Sequence, residues 1–187
     1  CTDNRPSYFY RPALGRPLAM NLNDVLRRIR YAFDFDDNNM MEVFASGDLP
    51  VERVQVCAWL KAEEDLGFEA ITDRQMAQFL NGLINAKRGR REGAQPVPED
   101  SLSNNMVLMK LRIALNLQSD DVQALLRETG LVFSKHELTA LFRKPGHKHY
   151  RNCEDQLLRN FLKGLQLRLR AEHEVPASPV DHDLWKR

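Results

Sequence analysis

The strongest constraint on this chain is that it states one pattern twice. Residues 23–88 lie over residues 105–170 at a constant offset of 82, without a gap. Asn23-Asp24-Val25-Leu26-Arg27-Arg28-Ile29-Arg30 falls on Asn105-Met106-Val107-Leu108-Met109-Lys110-Leu111-Arg112. Phe79-Leu80-Asn81-Gly82-Leu83 falls on Phe161-Leu162-Lys163-Gly164-Leu165. About a fifth of the aligned positions are identical, and many others exchange one apolar residue for another. An alignment without insertions implies one set of helix lengths and loops for both copies.

Apolar spacing makes those helices predictable. Val25, Leu26, Ile29 and Phe33 form one stripe, repeated by Leu108, Leu111 and Leu115. Second helices are expected over about 38–46 and 120–129, and third helices from near Val51 and Ser134. The longest, fourth helices bury Met76, Phe79, Leu80, Leu83 and Ile84, and Leu158, Phe161, Leu162 and Leu165. Thr72-Asp73-Arg74-Gln75 and Ser134-Lys135-His136-Glu137 have capping-box spacing. Gly47 and Gly130 stand where a helix end favours a left-handed residue. Gly82 and Gly164 interrupt the fourth helices at equivalent positions, which implies close helix crossing. No segment alternates like a strand. The expected fold is all-α, a tandem repeat of two similar modules of about four helices each. Modules of about 70 residues are near the lower limit for an independent core, so they should pack together.

The chain divides accordingly. Residues 1–19 read as a flexible N-terminal extension, 20–92 as module 1, 93–100 as a linker, 101–171 as module 2 and 172–187 as a flexible C-terminal tail. A net charge of +1 conceals an asymmetry. Residues 20–86 carry 6 Lys/Arg against 12 Asp/Glu, whereas 101–171 carry 12 against 6 with three of the five histidines. Module 1 is acidic and module 2 basic. That division suits a polyanion partner for module 2, or attraction between copies or between chains. The three cysteines are far apart and form no CxxC pair, which fits a reducing compartment. No apolar stretch approaches the length of a membrane span.

The densest polar segment is residues 142–153, with Pro145-Gly146 marking a loop. Arg143, Lys144, His147, Lys148, Tyr150 and Arg151 offer phosphate contacts and base stacking there, and Arg88, Arg90 and Arg91 at the end of module 1 could assist. A solvated basic loop is the plainer alternative. The equivalent loop of module 1, Lys61-Ala62-Glu63-Glu64-Asp65-Leu66-Gly67-Phe68, is acidic. His147, His149 and Cys153, with His136 nearby in sequence, are metal-ligand types without a recognised zinc spacing, so no metal is expected. The second and third helices of module 2 have the size of a helix-turn-helix, but bulky Leu126 sits where tight crossing wants a small residue. No phosphate loop, GxSxG or HExxH motif is present, and a Cys153–histidine pair is the only nucleophile arrangement to consider. No enzyme and no cofactor are expected. Arg30 and Arg112 are equivalent, as are Asp73 and Asp155, so structural ion pairs Arg30–Asp73 and Arg112–Asp155 are expected.

Several strings resemble the YehS-like bacterial proteins. They include Asn23-Asp24-Val25-Leu26-Arg27-Arg28-Ile29-Arg30-Tyr31-Ala32, Phe79-Leu80-Asn81-Gly82-Leu83-Ile84, and Arg88-Gly89-Arg90-Arg91-Glu92-Gly93-Ala94-Gln95-Pro96. In module 2 they include Phe142-Arg143-Lys144-Pro145-Gly146-His147 and Asp155-Gln156-Leu157-Leu158-Arg159-Asn160-Phe161-Leu162. The resemblance spans about residues 20–170. It implies a duplicated domain of unknown function and a cytoplasmic, bacterial setting, with no catalytic residues to carry over. Family members begin where Met20 stands, in keeping with an extension before it.

Two readings of function follow. In the first, the chain is a non-enzymatic regulator contacting nucleic acid through module 2. In the second, it is a protein–protein adaptor or self-associating module, a homo-oligomer or the receiver of an acidic protein partner, using acidic/basic complementarity.

Overall fold

The computed structural model describes residues 20–174, with side chains through residue 171; residues 1–19 and 175–187 lie outside the described residues. The readings of an N-terminal extension, and of a tail beyond Glu174, fall on that undescribed part.

Eight helices appear among the described residues, in the order α1 (Leu22–Ala32), α2 (Asp37–Ser46), α3 (Arg53–Leu60), α4 (Asp73–Arg88), α5 (Asn104–Ala114), α6 (Ser119–Glu128), α7 (Lys135–Leu141) and α8 (Asp155–Glu174). No strand occurs among them. The starts of α5 to α8 stand 82 residues after those of α1 to α4, so the repeat is a repeat of structure. Local chemistry starts several of these helices, although α3 begins at Arg53 without a side-chain cap and α6 has Gln118 as its N-cap with Ser119 inside it. Thr72 and Ser134 close capping boxes with Gln75 and Glu137. Asp36 does the same with Asn39 at α2.

The glycines have two different jobs. A Cβ at Gly82 would lie 1.9 Å from the Val43 carbonyl oxygen, and one at Gly164 would lie 2.2 Å from that of Leu125. These are equivalent crossings, α4 on α2 and α8 on α6, and only glycine fits them. Gly130 takes φ +84, the left-handed conformation expected of it. Gly47 does not: its φ is −95, and Asp48 next to it carries the left-handed turn at φ 62. Gly47 is required by proximity instead, because its Cβ would fall 2.0 Å from the Gln78 carbonyl oxygen.

Buried residues from both copies form one core. In copy one, Phe44 packs on Trp59 and Phe79 with ring centroids 5.0 and 4.7 Å apart. The equivalent trio in copy two, Leu126, Leu141 and Phe161, fills the same place with a single ring.

The two copies join by exchange. α1 packs mainly on α8 and α5 mainly on α4, so the first helix of each copy lies against the fourth helix of the other. Swapping the copies maps one contact onto the other, the relation found at an isologous two-fold interface. Lys110 on α5, buried there, donates to Asn81 Oδ1 on α4 at 2.6 Å and pairs with Glu99 of the linker at 3.0 Å. Arg170 on α8 stacks on the Tyr31 ring at 3.7 Å and pairs with Asp34 at 3.1 Å.

The expected Arg30–Asp73 and Arg112–Asp155 ion pairs are not formed. Arg30 pairs with Asp37 at 2.9 Å. Its Nε donates to the Phe35 carbonyl at 3.1 Å, and Arg112 Nε donates to that of Leu117 at the same distance. Asp73 accepts the Leu102 backbone N–H at 2.7 Å, and Asp155 accepts that of Met20 at 3.1 Å. The repeated arginines close a local turn, while the repeated aspartates tie one copy to the other.

Candidate nucleic-acid interface

The α7–α8 loop is fixed at its base by a buried asparagine. Asn105 donates to the carbonyls of Leu141 and Arg151, each at 2.8 Å, and accepts the Cys153 N–H at 2.9 Å. Asn23 makes the equivalent three bonds in copy one, to Trp59, Glu69 and Ile71 at 2.8, 2.9 and 3.2 Å. Sequence reading missed this pair; an identical polar residue inside a repeated apolar stripe was the signal. Arg151 N–H also donates to the Ala140 carbonyl at 3.1 Å, so the loop leaves and rejoins the fold at fixed points.

The tip between those points is exposed. Lys144, His147, Lys148, His149 and Arg151 are exposed, whereas Arg143 and Tyr150 are half-buried. Arg143 Nη1 lies 3.2 Å from His147 Nδ1, which also accepts the His149 N–H at 3.1 Å. Arg151 is partly spent: it sits 3.7 Å from Glu137 and over the Phe133 ring at 5.4 Å. The Glu137 carboxyl is held below its ordinary range by hydrogen bonds from the Ser134 backbone and hydroxyl, with Arg151 assisting. Lys144 and Lys148 make no ion pair among the described residues.

The stacking candidate of the loop, Tyr150, is half-buried. Phe142 lies half-buried under the Arg112 guanidinium at 4.5 Å, and Phe133 carries Arg151. Aromatic faces already covered by arginine are not platforms for bases.

Arg88, Arg90 and Arg91 are not brought to this loop by any hydrogen bond or ion pair among the described residues. Arg90 is held on copy one by both Asp48 oxygens, at 2.8 and 3.0 Å, and by the Ser46 carbonyl at 3.1 Å. Arg88 and Arg91 are exposed. Beside them, residues 95–98 cover a groove of about 300 Å³ floored by Gln78, Asn81 and Asn85, a feature absent from the sequence reading.

The histidines approach each other, with His136 and His147 rings 6.1 and 5.8 Å from that of His149. Among the described residues no group of three or more His, Cys, Asp or Glu side chains could hold a metal ion. Cys153 is buried, and burial followed by Glu154 and Asp155 pushes its thiol up to about 12. A thiol so protonated is a poor nucleophile. α6 and α7 are separated by residues 129–134, longer than a helix-turn-helix turn, and α7 ties Lys135 to Asp120 at 2.7 Å. No helix of the described residues is long and apolar enough to cross a membrane.

No solved structure matches this chain. It is 43% identical over 147 residues to the uncharacterized protein YehS of Escherichia coli (strain K12), an alignment covering 78% of this chain and 94% of that protein. A family model described as a protein of unknown function (DUF1456) matches twice, at residues 22–89 and 104–171, the two copies of the repeat. The chain belongs to this DUF1456 family, as a YehS-like protein built from the domain in duplicate.

Proposed function

We propose that this chain is a non-enzymatic, cytoplasmic protein that contacts the phosphate backbone of nucleic acid through the α7–α8 loop of copy two. One observation carries the reading. Among the described residues, Lys144 and Lys148 are exposed and unpaired together on one loop, whereas Lys110, Lys135, Arg151, Arg168 and Arg170 each have a carboxylate partner within the fold. The other exposed unpaired cations of copy two among these residues, Arg127 and Lys163, stand on α6 and α8. Arg143 and His147 extend the same face. The loop is anchored at its base by Asn105, so it presents those charges with little further ordering cost.

Phe142 and Phe133 are covered by arginines, which leaves Tyr150 as the aromatic beside the lysines, and phosphate contact through those lysines gives binding with little sequence preference. Mixed-sequence duplex DNA and RNA, titrated at about 50 and 200 mM salt, test the reading. About four phosphate contacts would weaken binding roughly a hundredfold between those conditions. Absence of binding at the lower salt would reject it.

A further inference from the structure

The acidic α3–α4 loop and the basic α7–α8 loop are one scaffold with inverted chemistry. Asp65 N–H donates to the Ala62 carbonyl at 3.0 Å as His147 N–H donates to that of Lys144 at 3.1 Å. Phe68 to Asp65, 3.1 Å, matches Tyr150 to His147, 2.7 Å. Glu69 to Ala58, 3.2 Å, matches Arg151 to Ala140, 3.1 Å. On this shared backbone, Asp65 stands where copy two has His147, Leu66 where it has Lys148, and Glu69 where it has Arg151.

The acidic tip is also apolar. Leu66 is 97% exposed and Val54 70% exposed. Their counterparts in copy two are Lys148 and His136, and the His136 ring lies against that of His149, next to Lys148. Val54, like His136, lies on the third helix of its copy, and Glu63, Glu64 and Asp65 precede Leu66 in the loop. On copy two, Val132 in the connection between α6 and α7 is 80% exposed.

Within one chain the two tips do not meet. Glu63, Glu64 and Asp65 remain exposed, and no ion pair joins them to the basic loop among the described residues. From these complementary surfaces we infer that the acidic tip of one chain docks on the basic tip of a second copy. Glu63 and Glu64 face Lys144 and Lys148, and Leu66 packs on the lysine stems. Each chain carries one tip of each kind, so the contact is head-to-tail. It shares the basic face with the proposed phosphate contact, so nucleic acid competes with it, but its acidic half is separate from that reading.

Sedimentation of the full chain over a concentration series, at about 50 and 500 mM salt, reads the contact out. Concentration-dependent association at the lower salt and its loss at the higher are expected. Leu66→Ser should weaken association by about tenfold and leave duplex affinity unchanged. Glu63→Lys with Glu64→Lys, and separately Lys144→Glu with Lys148→Glu, should each be monomeric alone and associate when mixed. A monomer under all conditions, or association indifferent to both reversals, or a mixture that stays monomeric, would overturn the inference. Failure of the nucleic-acid reading shows separately, as a wild-type chain that binds no duplex.

Discussion

Asp73 accepts the backbone N–H of Leu102 at 2.7 Å, a bond that runs from the first copy of the repeat to the second. Asp155 returns it by accepting the N–H of Met20 at 3.1 Å. Each carboxylate sits in the first turn of a fourth helix, where the helix dipole favours negative charge. Each donor stands two residues before the other copy's first helix.

Asp73→Ala should therefore destabilise the chain by about 1–2 kcal/mol, through loss of a charge-assisted bond and of charge at a helix start. Asp155→Ala should cost a similar amount. Urea unfolding monitored by circular dichroism measures both. A cost confined to one site would break the two-fold relation.

Gly82→Ala and Gly164→Ala oppose two effects. Alanine favours a helix by about 1 kcal/mol. Its methyl would meet the Val43 or Leu125 carbonyl oxygen at 1.9 or 2.2 Å, and forcing those helices apart costs about 1–3 kcal/mol or more. Net destabilisation is expected at both positions, read as a lower urea midpoint.

Replacing Asn105 by Leu leaves the Leu141 and Arg151 carbonyls and the Cys153 N–H without their partner. The expected loss is about 2–4 kcal/mol. Faster hydrogen exchange at Cys153 and Arg151 should accompany it, because this side chain closes the base of the loop. Asn23→Leu should do the same at Ile71 and Glu69.

The Cys153 thiol, pushed by burial from an ordinary value of 9.0 up to about 12, links stability to alkaline pH. The unfolded chain loses this proton first, so the contribution is complete below about pH 9 and is lost as pH rises toward 12. Unfolding free energy should fall over that window, and Cys153→Ala should flatten the fall. Peptide-resolved alkylation should likewise find Cys153 protected in the native chain at pH 8.

Much of the frame was legible because it is written twice. The offset of 82, the capping boxes at Thr72 and Ser134, and the need for Gly82 and Gly164 all follow from local pattern and repetition. The ion pairs were misassigned because constant residues were matched with constant residues. Arg30 takes Asp37, whose counterpart in copy two is Ser119, an uncharged residue. What the repeat preserves is the bond from arginine Nε to a turn carbonyl, at Phe35 and Leu117. Periodicity does not report a carbonyl acceptor. It is equally silent on exchange of first helices between copies, and on which cations of the basic copy are already paired.

The most direct test of the account is the salt dependence of duplex binding by the wild-type chain and by a Lys144→Ala, Lys148→Ala variant, followed by fluorescence anisotropy. The wild type should bind and lose affinity linearly in log salt, and the variant should bind more weakly with a slope shallower by about 2. Equal slopes in the two proteins, or no binding by the wild type at about 50 mM salt, would contradict it.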